Sequence, residues 1–263
     1  MVCYISNGMS DIFFLQLIIG GAIGIGAGYI GAFMILRRMA LVGDALSHVA
    51  LPGLALALLF NFNPFVGAFT ALFVAIVGIW ILERKTSIPS ETLVGIFFTT
   101  ALALGILLTP QPELLEALFG DIGNVARMDL YITLPIIALV MIALKLISKP
   151  LALSTISKDL TRSMKIPVNT INFLFLLMVA IIVALGIKVT GTLLMGALVI
   201  IPAAAGRNIS RTFSHYTFMS AVLGGVAAIS GIIIAHQYGF TPGPLVVLSG
   251  GTLFLVSLLF KQQ

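Results

Sequence analysis

The sequence has few of the residues on which soluble enzymes depend. It contains one cysteine, Cys3, one tryptophan and three histidines among 263 residues, and only 9% of its residues are charged. A single cysteine excludes an intrachain disulfide. There is no G-x-x-x-x-G-K-(S/T) segment, so the chain cannot bind ATP through a P-loop, and no H-E-x-x-H segment that would indicate a metalloprotease. We therefore expect no enzymatic activity and no permanently bound cofactor.

Apolar residues make up 60% of the chain, more than a soluble domain of this length can bury. Uninterrupted apolar runs long enough to cross a bilayer predict an all-α, polytopic membrane protein with one transmembrane domain over residues 1–263. Eight or nine spans are expected, because the second and seventh are short and interrupted by Gly or Pro. The predicted spans are 12–36, 43–60, 64–82, 91–109, 129–148, 169–187, 192–206, 214–236 and 244–260.

The basic residues lie in short loops between these runs, which is a topology signal and not a sign of nucleic-acid binding. With nine spans, 12 of the 14 lysines and arginines fall on one side of the membrane. The positive-inside rule makes that side cytoplasmic, with the N-terminus outside and the C-terminus inside. In the short loop before the fourth span, Ser90 is predicted to cap the next helix.

The segment from Arg37 to Gly53 carries the strongest candidate site. Asp44 and His48 are four residues apart, so in a helix they lie on one face, a single turn from each other. A carboxylate and an imidazole are ligands that a first-row divalent metal ion accepts. Ionisable groups at membrane depth are costly and usually face a cavity or the bundle interior. A buried polar pair that only holds two helices together is the alternative.

The same segment resembles a known signature, a basic pair followed by M-A-L-x-G-D-A-L-S-H and L-P-G. It is similar to the membrane permease subunit of ABC importers of zinc, manganese or iron. Three further segments are similar to that family: Leu118–Ile122 (L-F-G-D-I), Gly191–Ala204, which follows G-x-L-L-x-x-A-L-x-I-P-A-A with one more residue before I-P, and the turn at Thr241–Pro244.

This resemblance implies the fold of a type II ABC-importer permease and a homodimer in the prokaryotic plasma membrane. It implies cytoplasmic ABC ATPase subunits and an extracytoplasmic metal-binding protein as partners, and a transported zinc or manganese ion, with iron as a further candidate. It assigns Asp44 and His48 to metal passage. A cytoplasmic segment at about 150–168 would couple to the ATPase through Lys158, Asp159, Leu160, Arg162 and Met164. The alternative for this segment is a solvated loop that only sets topology.

Two further alternatives remain open from the residues. A gradient-driven secondary carrier could use Asp44 as its ion-coupling carboxylate, although such carriers commonly show two homologous halves, and no convincing duplication is present here. His236, at the outer end of the eighth span, is either a contact for the arriving metal or an interfacial histidine without such a role.

Overall fold

The computed structural model describes residues 2–86, 88–108, 118, 127–156, 164 and 167–260, without the side chains of 2–11, 156, 188, 189 and 193. The regular structure in these ranges is helical, which confirms the predicted all-α class. The helices are α1 (Val2–Leu36), α2 (Ala40–Val49), α3 (Leu51–Leu59), α4 (Pro64–Lys85), α5 (Ser90–Leu108), α6 (Arg127–Ile156), α7 (Val168–Ile209), α8 (Phe213–Tyr238) and α9 (Pro242–Leu259).

By length and composition, nine stretches within the described ranges can cross a membrane, which supports nine spans over eight. The second stretch, Ala40–Leu59, consists of α2 and α3, and the sixth and seventh are Val168–Ile187 and Thr190–Ile209 of α7. The predicted ends agree with these stretches to within a few residues, with one larger difference. The fifth span, α6, continues through Pro150 to Ile156, so the predicted coupling segment begins inside this helix.

The second span is broken, as its Gly/Pro content predicts. In an unbroken helix the carbonyl of His48 would accept the N–H of residue 52, but Pro52 has none. The carbonyl instead accepts the N–H of Ala50, where α2 ends and α3 begins. The break therefore follows directly from the L-P-G part of the segment and leaves Asp44 and His48 on a short helix of their own.

The two halves of α7 run in opposite directions. Gly191, at φ 74° and ψ 174°, has a backbone conformation that is accessible to glycine and strained for other residues. Asn172, near the start of α7, bonds to Arg37 just after α1, and Gly186 lies near Ile23, further back along α1. After Gly191, Val199 lies near Gly31, again closer to the end of α1. The chain thus reverses around Gly191 and brings the second half of α7 back along α1 and α2.

Small residues allow α1 and α8 to pack with their backbones in contact. Gly24 lies against the backbone of Gly224, and Gly28 lies against that of Ser220. Glycines four residues apart on one helix face thus let the two backbones approach closely, as small residues do in membrane helices.

Several helix ends meet at one end of the bundle, which we call the basic end. There Arg37, after α1, donates a hydrogen bond of 2.6 Å to Asn172 of α7. Ser90, the first residue of α5, donates a 2.6 Å hydrogen bond to Glu83 of α4. The predicted N-cap role of Ser90 is wrong, because the carbonyl of Pro89 accepts the first backbone hydrogen bonds of α5 and Ser90 is already inside the helix. At the opposite end the rings of Phe13 and His236 stack with centroids 4.2 Å apart.

Candidate metal site

Asp44 and His48 lie on α2, one turn apart, as the sequence predicts. The helix packs between α7 and α5, so the pair belongs to the interior of the bundle and not to its lipid-facing surface. His48 is 8% exposed and Asp44 is half-buried. The geometry therefore places a carboxylate and an imidazole on one helix face, in a stretch that is long and apolar enough to cross a membrane.

The side chain of Asp44 faces the backbone of α7. A β-carbon built on Gly196 would lie 2.5 Å from Oδ1 of Asp44 and 2.6 Å from its Cβ, so only a glycine fits here without a shift. Ser47 donates a hydrogen bond of 2.6 Å to the backbone carbonyl of Asp44, not to its carboxylate. Among the described residues, the carboxylate accepts no hydrogen bond and remains available to a cation.

The imidazole of His48 faces α5. Its ring lies 5.4 Å from the ring of Phe98, centroid to centroid, at an angle of 51°. Its Nδ1 atom is buried and has no hydrogen-bond partner. Buried polar atoms in proteins are nearly always hydrogen-bonded, so an unpartnered ring nitrogen beside a carboxylate is an unusual arrangement and one that suits a ligand.

A third polar group near this pair, Thr192, was missed by the sequence interpretation. It is fully buried, and its hydroxyl oxygen has no hydrogen-bond partner. Because Gly196 lies on Asp44 and Val199 lies near Gly43, the second half of α7 runs antiparallel to α2. This register places Thr192, one turn before Gly196, at the level of His48. The only signal for Thr192 in the sequence was its place beside Gly191 at the start of the motif that resembles the family.

These side chains form an incomplete metal shell. In the parts of the chain that the structure describes, no three His, Cys, Asp or Glu side chains are grouped so that they could hold a metal ion. Two strong ligands cannot fill a shell of four to six positions. Such a set suits an ion that binds weakly and moves on, because a transport site must also release its cargo.

The predicted coupling residues lie mostly outside the described part. Lys158, Asp159, Leu160 and Arg162 belong to residues that the structure does not describe. Met164 lies in a turn and is 57% exposed. His236 is exposed at the end of α8 and stacks on Phe13, far along the bundle from Asp44 and His48.

Known proteins are similar to this chain over nearly its whole length. The ABC 3 transport family matches residues 9–261. The manganese import system permease protein ScaB of Streptococcus gordonii is 33% identical, over 98% of this chain and 95% of that protein. The high-affinity zinc uptake system membrane protein ZnuB of Haemophilus influenzae is 32% identical, over 97% of this chain and 99% of that protein.

A solved structure, PsaBC from Streptococcus pneumoniae in complex with Fab, contains a chain of similar fold. The TM-score is 0.82 at 30% identity, over 98% of this chain and 95% of that chain. These matches confirm the resemblance first seen in the segment from Arg37 to Gly53. The chain is a member of the ABC 3 transport family.

Proposed function

We propose that this chain is the membrane permease subunit of an ATP-driven importer of a divalent transition-metal ion, and that Asp44 and His48 form part of the ion's path. Zinc and manganese are the favoured cargoes, because similar proteins are named for each, and iron remains a further candidate. The observation that carries the proposal is the pair on α2, a carboxylate and an imidazole one turn apart inside the bundle.

The energetics of burial support this role. A carboxylate at the centre of a bilayer costs about 3 kcal/mol on the insertion scale unless it is compensated. No described residue hydrogen-bonds the Asp44 carboxylate or the Nδ1 atom of His48. A passing divalent cation would compensate the charge of the Asp44 carboxylate, and the Nδ1 atom of His48 would coordinate that cation. It would also favour the ionised acid and the neutral imidazole.

We infer that the path is completed by a second copy of the chain. Two ligands leave at least two coordination positions open, and a second copy of the chain, water or backbone oxygen atoms must supply the rest. In a homodimer, the same pair on the partner would double the ligand set by symmetry. ATP hydrolysis belongs to separate cytoplasmic subunits, and an extracytoplasmic metal-binding protein delivers the ion.

The test is metal uptake into vesicles that contain this chain and its ATPase partner. Asp44→Asn removes the charge but keeps the shape, and His48→Gln keeps a polar group without a ring nitrogen. Both should abolish uptake of zinc and manganese while leaving insertion, dimer formation and ATPase binding intact. Asp44→Glu, which restores the charge, should recover part of the uptake.

Two exposed residues provide matched controls. Glu91→Gln removes an acid from the first turn of α5, and His215→Gln removes a histidine from the first turn of α8. Both variants should transport like the parent. If Asp44→Asn and His48→Gln also transport like the parent, the pair serves helix packing and the proposal fails. Uptake that needs no ATP would instead favour a gradient-driven carrier.

A second experiment tests the coupling segment. Replacing residues 158–165 with a Gly/Ser stretch should abolish binding of the ATPase subunits or separate ATP hydrolysis from uptake. As a control, a Gly/Ser replacement of residues 60–63, the short loop between α3 and α4 on the predicted outer side, should leave ATPase binding unchanged. Coupled uptake in the 158–165 variant would mean that the partner docks elsewhere.

A further inference from the structure

A cavity of about 430 Å³ lies at the basic end of the bundle, between the end of α1, the end of α7 and the start of α8. Three arginines from three different places in the chain line it: Arg38 after α1, Arg207 in the last turn of α7 and Arg211 in the turn before α8. It is separate from the Asp44 and His48 site, and neither of those residues lines it.

The charge around this cavity is of one sign. Its lining includes three guanidinium groups and no carboxylate, a statement that covers the described residues. The positive end of the α8 dipole lies at its edge, whereas α1 and α7 end at the cavity and present the negative ends of their dipoles there. Three full guanidinium charges outweigh these partial charges. Arginine forks match the oxygen atoms of phosphate groups in geometry and bind them through charge-assisted hydrogen bonds. The cavity is therefore suited to a phosphate-bearing anion.

Buried hydroxyl groups give a second, independent observation. Tyr216 lines the cavity and is 8% exposed, yet its hydroxyl has no hydrogen-bond partner. Arg207 lines the same cavity. Ser210, also in the lining, has a buried hydroxyl oxygen without a partner. A ligand with several acceptor oxygens would satisfy both hydroxyl groups.

The rest of the lining is apolar. Ile35 and Leu36 belong to the last turn of the first span, and Phe213 opens the eighth. Leu36 and Phe213 are 37% and 39% exposed, so each also presents apolar surface outside the cavity. A site with arginines and hydroxyls on one side and apolar groups at the ends of membrane spans on the other fits a molecule with a charged head and a hydrocarbon tail.

We propose that this cavity binds the phosphate group of an anionic membrane lipid from the leaflet at the basic end. The lipid would join α1, α7 and α8 at the point where the chain leaves the membrane. Free phosphate carries the same charged group but would leave the apolar part of the lining without a partner. An acidic segment of a partner protein would likewise not use the apolar surface of Leu36 and Phe213.

Lipid retention by the purified full-length chain tests the proposal. The protein is reconstituted in vesicles of phosphatidylcholine with phosphatidylglycerol as the minority lipid, extracted in mild detergent and analysed by native mass spectrometry. The parent should retain phosphatidylglycerol in preference to phosphatidylcholine. Arg207→Gln with Arg211→Gln should weaken that retention by about tenfold, the loss expected for charge-assisted hydrogen bonds. Tyr216→Phe, which removes only the buried hydroxyl, should weaken it by a smaller factor.

Lys145→Gln with Lys149→Gln is the matched control, because it removes two exposed charges from α6 and leaves the cavity intact. Retention should stay at the parental level. Equal retention in the arginine variant, or an equal loss in the lysine control, would overturn the proposal. Tyr216→Phe keeps the test valid if the arginine variant does not fold.

A second arm separates the possible sources of the phosphate. Inorganic phosphate is titrated against the protein in vesicles of phosphatidylcholine alone, with thermal stability as the readout. We expect no stabilisation that depends on Arg207 and Arg211. If phosphate stabilises the parent but not the arginine variant, while retention of phosphatidylglycerol is the same in both, the site takes free phosphate and the lipid assignment is wrong. Loss of ATPase binding in the arginine variant, with lipid retention unchanged, would assign the cavity to a protein contact instead.

Discussion

The backbone of Gly196 in α7 lies directly against the carboxylate side chain of Asp44 in α2. The two residues are far apart in sequence, and the reversal at Gly191 is what brings them together. The contact determines how close α7 can come to the candidate ligand.

The first prediction concerns this contact. Gly196→Ala should lower stability by about 1–3 kcal/mol, because the added methyl group overlaps Asp44 and its backbone. The change should also reduce metal uptake, since the carboxylate must move. Thermal unfolding in detergent and vesicle uptake are the measurements.

Gly95→Ala and Gly251→Ala are the controls, because a β-carbon at either position meets no atom within 4 Å. They should raise stability by about 0.5–1 kcal/mol, the usual gain from replacing glycine in a helix. A gain of the same size at Gly196 would show that α7 is not in close contact with Asp44.

The second prediction concerns Arg37, which joins α1 to α7 at the basic end. Its guanidinium donates a hydrogen bond of 2.6 Å to Asn172 and lies 5.2 Å from the centre of the Phe175 ring. Burial lowers the pKa of this guanidinium, and the carboxylate of Glu83 opposes that effect. A double-mutant cycle of Arg37→Gln and Asn172→Ala should give a coupling energy of about 1.5–3 kcal/mol.

Lys85→Gln, an exposed basic residue of the neighbouring helix α4, is the control and should show no coupling to Asn172→Ala. The readout is thermal unfolding of the four variants in each cycle. A coupling energy near zero for Arg37 would mean that the hydrogen bond does not hold the two helices together.

The third prediction separates two neighbouring threonines. Thr192 has a buried hydroxyl without a partner, whereas the hydroxyl of Thr190 donates to the carbonyl of Gly186 at 3.2 Å. Thr192→Val should therefore leave stability unchanged or slightly higher but reduce metal uptake, because it removes an oxygen at the level of His48. Thr190→Val should cost about 1 kcal/mol of stability and retain uptake.

Stability and uptake are measured on the same preparations. If Thr192→Val transports like the parent, its hydroxyl takes no part in the ion's path. If it unfolds as easily as Thr190→Val, the hydroxyl has a structural partner in the assembled protein.

The fourth prediction concerns orientation. The asymmetry of basic residues predicts that Lys158 and Gln263 are cytoplasmic and that Glu113 is external. Single cysteines at these positions, in a Cys3→Ser background, should react with an impermeant maleimide from outside only at position 113. Labelling after the membrane is opened shows that all three are reactive. External labelling at 158 would reverse the topology and exclude the coupling segment.

The sequence by itself determined the class of the protein, the approximate limits of most of its eight or nine expected spans, and the helical pairing of Asp44 with His48. These features depend on local properties, namely the length of apolar runs, the four-residue repeat of a helix and the missing N–H of Pro52. The distribution of arginines and lysines likewise follows from their positions along the chain. Each of these can be read without knowing which helices are neighbours.

Only the tertiary structure decided what surrounds the pair. Asp44 meets Gly196, His48 meets Phe98, and Thr192 comes to their level because α7 reverses at Gly191. Nearly uniform apolar helices carry little periodic signal for choosing their neighbours, and close backbone contacts such as that of Gly28 with Ser220 select the partners instead. The hydroxyl of Ser90 likewise bonds to Glu83 of another helix and does not cap its own. Its partner depends on how α4 and α5 pack together and not on the local sequence.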